Sequence, residues 1–254
     1  MSVSDFQRAR LVWPAVCTLA ALAVLIGLGT WQMQRKAWKE GLLDAIAQRV
    51  NAAPVPLEMA ARRWTGGEDL EYLRVTARGR YHHDKERLLY APGKEGPGFH
   101  VFTPLETADG RYLFVNRGFV PDALKDPATR AAGQPQDEVE VTGLLRHPAE
   151  QGWFTPANEP ARNLWFWRDL DGMAASVLGR EQARAFPFFL DEQPRESGGA
   201  ASQWPRPGVT RLDLPNRHLE YALTWYGLAG TLVAVYLAFA IGRLRRSPHN
   251  PNPS

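Results

Sequence analysis

Residues 11–31 read LVWPAVCTLAALAVLIGLGTW and contain no charged side chain. A second uncharged stretch, YALTWYGLAGTLVAVYLAFAIG, occupies residues 221–242. A helix needs roughly 20 such residues to cross a hydrocarbon core about 30 Å thick, so each stretch predicts a transmembrane helix. Pro14 falls in the expected first turn of the first helix, where a missing N–H is tolerated. A cleaved signal peptide is the alternative for the first stretch, but the apolar run of a signal peptide spans only about 7 to 15 residues.

The short tails at the two ends of the chain indicate the orientation of the helices. Basic residues flank both stretches on both sides, but a long connecting domain is exported largely regardless of its charge. Arg243, Arg245 and Arg246 directly follow the second stretch and predict that this end is cytoplasmic. The expected segments are a cytoplasmic tail over 1–10, helices over 11–31 and 221–242, a periplasmic domain over 32–220 and a cytoplasmic tail over 243–254.

The region between the two stretches alternates apolar and polar residues with the period of β-strands. Thr107-Ala108-Asp109-Gly110 joins two such runs, and an Asp-Gly step in that position predicts a β-hairpin. We expect strands over residues 73–77, 88–90, 99–105, 112–120, 139–145 and 186–190. The predicted fold class is therefore membrane α+β, with two transmembrane helices flanking one mostly β extramembrane domain.

Two shorter helices are expected beside the strands. Trp38, Leu42, Ile46 and Val50 are spaced four apart after the first apolar stretch, which predicts an amphipathic helix. Its apolar face would either lie at the membrane surface or pack on the domain, and the sequence favours neither. Asp169–Leu178 has a stripe of apolar residues with helical spacing. Residues 196–202 have almost nothing to bury and are expected to be mobile.

Composition and motifs exclude several classes of function. The net charge of +3 comes from scattered basic residues, so we expect no nucleic-acid partner. The single cysteine, Cys17, excludes a disulfide framework, a Cys-x-x-Cys-His haem attachment and a thiolate site for zinc or copper. Hydrolase and phosphate-loop signatures are absent, so no enzyme activity is expected. The N-terminus lacks the long Arg- and Ser-rich lead of an organelle transit peptide, which favours a bacterial cell membrane.

One of the six histidines stands at a special place. His218 precedes the second apolar stretch, with Asn216 expected as the N-cap, and Tyr221 and Trp225 follow on the same helical face. A helix N-terminus disfavours a protonated imidazole and leaves a ring nitrogen free, as an axial haem ligand requires. The alternative is an ordinary interfacial anchor of amphipathic rings. The adjacent His82 and His83 would point to opposite faces of a strand and are expected to be exposed.

The chain resembles the Surfeit-locus (Surf/Shy) family of cytochrome c oxidase assembly factors over nearly its whole length. The motifs that carry the resemblance are, in chain order, GTWQ at 29–32, RK at 35–36, RV at 74–75, GRY at 79–81, GFHVFTPL at 98–105, VNRGFVP at 115–121, GLLR at 143–146, FTPAN at 154–158, WRDL at 167–170 and NRHLEYALTW at 216–225. A minor departure is Phe119, where the family often has Trp.

The resemblance implies a role in building the haem a centres of the oxidase. A member of this family would bind haem a and assist its insertion into, or retention in, the largest oxidase subunit, without catalysis. Its partners would be oxidase subunit I, the haem a synthesis machinery and membrane lipid. The family histidine that precedes the second helix is the proposed haem-iron ligand and is His218 here, with Tyr221 and Trp225 beside it and Trp31 as a further candidate.

Two alternatives remain open at the level of sequence. The protein is either a haem a carrier or a membrane scaffold that stabilises an oxidase intermediate without binding haem. Arg80 and Arg117 would serve partner docking or haem propionates, or would simply meet nearby carboxylates.

Overall fold

The computed structural model describes residues 3–93, 96–194, 204–210 and 216–245. The segment expected to be mobile, residues 196–202, lies outside these ranges, as does the Arg246 of the basic cluster. The chain forms two compact units, Met1–Ala45 with Asp213–Ser254, and Ile46–Leu212. The first contains the long apolar helices and the second is rich in β-structure, so the predicted fold class is confirmed.

The two long helices are α1, Val3–Asn51, and α4, His218–Arg245. Both are long and apolar enough to cross a membrane. The sequence predicted that Pro14 lies in the first turn of this helix. Because α1 begins at Val3, Pro14 instead lies in the helix interior.

The predicted amphipathic helix is the continuation of α1. The helix remains unbroken to Asn51, and of the predicted apolar face Trp38 and Leu42 are exposed while Val50 is buried. The last residues of α1 belong to the β-rich unit, where Arg49 Nη1 donates a hydrogen bond to the carbonyl of Glu71 over 3.0 Å. The apolar face is therefore not buried as a whole.

The β-rich unit is built on a closed barrel. Its strands are β1 (Val55–Pro56), β2 (Arg74–Tyr81), β3 (Arg87–Gly93), β4 (Gly96–Glu106), β5 (Tyr112–Pro121), β6 (Val139–Arg146), β7 (Leu164–Trp165) and β8 (Ala185–Glu192). Strands pair in the ring β2–β6–β8–β5–β4–β2, all antiparallel except β5 with β8. β3 adds to β4, while β1 and β7 pair with β2 and β3.

The predicted hairpin is formed by β4 and β5, two neighbouring strands of this barrel. Residues of β4 and β5 pair from Gly98 with Pro121 to Glu106 with Tyr112, across the turn that contains Asp109 and Gly110. Nearly every residue of β5 is buried because the strand is covered on both faces. Leu113 and Val115 join the core inside the barrel. Phe114, between them, instead packs in a second apolar cluster with Leu170 and Met173.

Two short helices cover the barrel. The helix expected at Asp169–Leu178 is α3, Leu170–Leu178, and Asp169 caps it by accepting a 2.9 Å hydrogen bond from the N–H of Gly172. A second helix, α2 (Leu57–Thr65), was not predicted from the sequence and packs Leu57 and Ala60 into the barrel core. Its signal was present, because Leu57, Ala60, Ala61 and Trp64 have the spacing of one helical face.

The barrel closes where β2 meets β4, and a glycine permits that contact. Arg80 pairs with Glu106 and Tyr81 with Leu105. A Cβ atom on the neighbouring Gly79 would lie 2.2 Å from the carbonyl oxygen of Glu106. The backbone of one strand thus occupies the space that a side chain on the other would need.

Gly79→Ala is expected to destabilise the barrel by about 1–3 kcal/mol, the usual cost of forcing an extra methyl group into a packed site. Arg78→Ala is the matched control, because it removes only an exposed ion pair with Glu140 and should cost about 1 kcal/mol or less. Denaturant titration of the full chain in mild detergent, followed by tryptophan fluorescence, measures both. Equal stability of the two variants would contradict this account of closure.

Candidate functional site

The histidines of the β-rich unit have separate partners. His82 Nε2 lies 2.7 Å from Glu106 Oε2, and His83 Nε2 lies 2.9 Å from the carbonyl oxygen of Pro135. The side chain of His83 is only 8% exposed, so its predicted surface position is wrong. The residue begins a short 3-10 turn after β2, which directs the ring inward instead of across a strand. Among the described residues, no three His, Cys, Asp or Glu side chains are grouped as a metal site requires.

The two arginines singled out from the sequence do not form one surface. Arg80 is exposed, whereas Arg117 is buried. The guanidinium of Arg117 donates to the carbonyl of Gly133 over 2.7 Å, lies over the ring of Tyr81 and approaches Glu192 at 3.9 Å. Arg117 therefore contacts groups inside the β-rich unit.

A buried ion pair lies beside Arg117. Arg130 donates from Nη1 and Nη2 to the two carboxylate oxygens of Glu86, at 3.2 and 2.5 Å, and both side chains are almost fully buried. Burial by itself would raise the pKa of Glu86, but hydrogen bonding with His83 and Arg130 and the charges of Arg130 and Arg117 lower it below its usual value. The pair ties the 3-10 segment Pro127–Gly133 to the barrel.

The helices α1 and α4 pack as an antiparallel pair. Buried or half-buried residues recur every three or four positions along each helix, the spacing of two helices that wind around each other. They include residues 18, 22, 25, 28, 29, 32 and 36 on α1 and residues 218, 222, 225, 229, 232, 233, 236 and 240 on α4. Gln32 meets His218 and Thr30 meets Tyr226, so the numbering runs in opposite directions.

The ring of Tyr226 on α4 lies directly against Gly29 of α1. A Cβ atom on Gly29 would lie 2.6 Å from that ring, and Ala222 and Ala229 are buried on the same face of α4. The hydroxyl of Tyr226 lies 3.2 Å from Thr30 Oγ1. Small residues and the interhelical hydrogen bonds of Tyr226 with Thr30 and of His218 with Gln32 therefore fix the register, as is common between membrane helices.

His218 is the first residue of α4, and α1 provides its partner. Its Nδ1 lies 2.8 Å from Oε1 of Gln32, and its ring is half-buried. Trp225 is half-buried two turns along, while Tyr221 is 54% exposed at the side of the pair. Trp31, the further candidate, is also exposed, and the adjacent Gln32 is the residue that contacts the imidazole.

The expected N-cap of α4 is wrong. The first intrahelical bond runs from the N–H of Tyr221 to the carbonyl of Arg217, so Arg217 occupies the position directly before the helix. Asn216 stands one residue too early, and its Oδ1 is buried without a hydrogen bond from the described part of the chain. Pro215, which entered the same prediction, lies outside the described residues.

This arrangement suits a single axial ligand better than a site made of several protein ligands. One imidazole nitrogen is held by an amide oxygen, and within the described ranges nothing is hydrogen-bonded to the other. Metal-bound histidines typically have this division, with one nitrogen on the metal and the other hydrogen-bonded to an acceptor. The surrounding helix surface is apolar and aromatic, with Leu219, Tyr221 and Leu223 exposed.

Replacing Glu86 by Gln should leave Arg130 buried without a compensating charge. The expected loss is about 3–5 kcal/mol of unfolding free energy at neutral pH. Glu140→Gln is the control, because its pair with Arg78 is exposed and should contribute about 1 kcal/mol or less. Denaturant titrations of the full chain in detergent provide the comparison.

The loss of unfolding free energy caused by Glu86→Gln should also depend on pH. Because the folded protein holds the pKa of Glu86 below its unfolded value of about 4.3, the ionised carboxylate stabilises the protein fully above that value. This stabilisation is lost as the pH falls through the lower folded pKa. The difference from wild type should therefore shrink in acid, and a constant difference would contradict the assignment.

Gly29→Leu should separate the helix pair, because the new side chain needs the space of the Tyr226 ring. Gly27→Leu is the matched control, since nothing lies within 4 Å of a Cβ atom there. Cysteines placed at 32 and 218, in a Cys17→Ser background, report the separation through the yield of a short thiol cross-linker. The yield should fall with Gly29→Leu only, and an equal fall in both variants would refute the close contact.

Comparison with known proteins places the chain in a family. Residues 19–230 match the model of the SURF1 family. Surfeit locus protein 1 of Mus musculus is 38% identical over 222 residues, which cover 81% of this chain and 69% of the relative. The Homo sapiens protein is 39% identical over 80% of this chain and 69% of its own length, and that of Takifugu rubripes is 35% identical over 88% and 95%. This membrane protein belongs to the SURF1 family.

Proposed function

We propose that this protein binds haem a through His218 and assists its insertion into, or retention in, the largest subunit of a haem-copper cytochrome c oxidase. One observation carries the proposal. His218 opens a helix of membrane-spanning length and is half-buried, with Nδ1 engaged by Gln32 and Nε2 without a protein partner in the described chain. The family resemblance supports the oxidase as the enzyme that is assembled.

The residues around His218 fit haem a in chemical terms. A haem-iron ligand needs a ring nitrogen that nothing else occupies, and Nε2 of His218 has no hydrogen-bond partner among the described residues. Haem a also carries a long apolar tail, which the exposed Leu219 and Leu223 and the aromatic Tyr221 and Trp225 would accept. When bound, the haem supplies the iron that takes the nitrogen lone pair.

The position of His218 along α4 gives the site its environment. Because His218 is the first residue of the apolar helix, its ring lies at the end of the spanning segment, near the boundary between lipid and water. The apolar residues that follow His218 on α4 would then be the ones that hold an apolar tail. The role of these residues is to bind and orient without catalysis.

The proposal includes a location and partners. The Arg243–Arg246 cluster favours cytoplasmic ends, and the β-rich domain would face the periplasm of a bacterial cell. The family resemblance implies oxidase subunit I and the haem a synthesis machinery as the partners, and lipid would surround the helices.

A scaffold that binds no haem is the second candidate function. The observation in its favour is an exposed aromatic pair, Trp153 and Phe154, which are 93% and 94% exposed in the loop after β6. Exposed aromatic side chains in contiguous groups often mark docking surfaces. Such a surface would hold an oxidase intermediate whether or not His218 binds a ligand.

His218→Ala should remove most of the bound haem a, because no other described side chain at the site offers an imidazole. The measurement is the visible absorption spectrum of the full chain, purified in detergent from cells that make haem a. His82→Gln is the control, since that histidine belongs to the β-rich unit and pairs with Glu106.

Haem a bands in the wild type and the control, and their loss in His218→Ala, are the expected result. A wild type without haem a, in cells whose oxidase fails to assemble when the protein is deleted, would refute the carrier and leave the scaffold. An unchanged spectrum in His218→Ala would refute His218 as the ligand.

A further inference from the structure

We propose that Gln32 is a positioning residue that holds the imidazole of His218 in the tautomer protonated at Nδ1, with the lone pair on Nε2. The inference concerns the hydrogen bond between α1 and α4, and its consequence for haem rests on the proposed function. It assigns to a glutamine of the first helix control over a ligand on the second helix.

The chemistry of the two groups determines the tautomer. In this arrangement Oε1 of Gln32 faces Nδ1 of His218 at 2.8 Å. Because a carbonyl oxygen can only accept a hydrogen bond, this orientation of the amide requires the proton on Nδ1. A neutral imidazole has one N–H, and Nε2 is then left with its lone pair. Without the amide oxygen, nothing among the described residues would prevent the proton from moving to Nε2 and blocking the ligand.

The packing of the helix pair holds Gln32 in place. Gln32 is half-buried on the face of α1 that contains Gly29, one helical turn away, where the Tyr226 ring fixes the distance between the helices. Tyr226 in turn lies two turns from His218 on α4, about 12 Å along the axis. The hydrogen bond thus belongs to a register that is already set, and partial burial strengthens it.

The type of acceptor affects how strongly the ligand binds. An acceptor on the distal N–H raises the basicity of a metal-bound imidazole, and a carboxylate does so more than a neutral amide. Gln32 therefore orients His218 but raises its basicity only moderately. An imidazole that donates its lone pair to iron with moderate strength suits a protein that must later release its haem.

The tautomer can be measured in the protein without haem. The full chain in detergent, labelled with ¹⁵N-histidine, gives two-bond proton–nitrogen correlations that distinguish the two tautomers, and His218→Gln identifies the His218 signals. We expect the Nδ1–H pattern in the wild type. Gln32→Leu should lose it, whereas Gln34→Leu should keep it because Gln34 is exposed on another face of α1.

An Nε2–H pattern in the wild type, or an unchanged pattern in Gln32→Leu, would overturn the inference. Both results are independent of haem and therefore of the proposed function. A loss of the pattern in Gln34→Leu as well would also count against it, because the effect would then reflect a general disturbance of α1.

Haem a titration tests the consequence for binding. Gln32→Leu should weaken haem a binding about 10- to 100-fold, the usual effect of removing the acceptor behind a ligating histidine, while Gln34→Leu should not. Gln32→Glu should restore binding and lower the midpoint potential of the haem, because a carboxylate makes the imidazole a stronger donor.

The outcomes separate this inference from the proposed function. If His218→Ala abolishes haem a binding but Gln32→Leu binds as the wild type does, His218 is the ligand and the positioning role is wrong. If His218→Ala binds haem a normally, the proposed ligand is wrong, and the tautomer measurement alone decides whether Gln32 holds the imidazole.

Discussion

The close approach of α1 and α4 at Gly29 is the constraint on which the candidate site depends. Because Gly29 has no side chain, the ring of Tyr226 lies directly against α1 and its hydroxyl reaches Thr30. The same spacing brings the amide of Gln32 to the imidazole of His218. Two residues separated by 186 positions in the chain thereby form one polar group at the end of an apolar helix pair.

The β-rich unit depends on a different kind of contact. Its barrel closes through backbone that occupies the space beside Gly79, and the buried Glu86–Arg130 pair fastens an irregular segment to it. A buried ion pair contributes little net stability compared with apolar packing, but losing one partner is costly. Such a pair therefore favours one arrangement of the loop over the alternatives.

Regular patterns in the sequence predicted the main elements of the fold. The uncharged stretches predicted α1 and α4, and the Asp109-Gly110 step predicted the hairpin of β4 and β5, because each pattern is local and periodic. The start of α1 was missed, since helix formation continues past the apolar run into the polar residues before it. The inward turn of His83 was missed because a 3-10 turn interrupts the strand period.

Only one of the two residues that form the candidate site could be predicted from the sequence. His218 stood out by its place before an apolar stretch, but no local pattern identifies Gln32 as its partner. Their contact depends on the register of two helices, which Gly29 and Tyr226 determine together. The family motif that contains Gly29 and Gln32 was visible, yet the motif alone gives no role to either residue.

Pulsed EPR of ferric haem a, bound to the full chain labelled with ¹⁵N-histidine, tests the central claim most directly. The account predicts nitrogen couplings from one histidine imidazole in the wild-type protein and their loss in His218→Ala. The absence of any histidine coupling in the wild type, or the same coupling in both proteins, would contradict it.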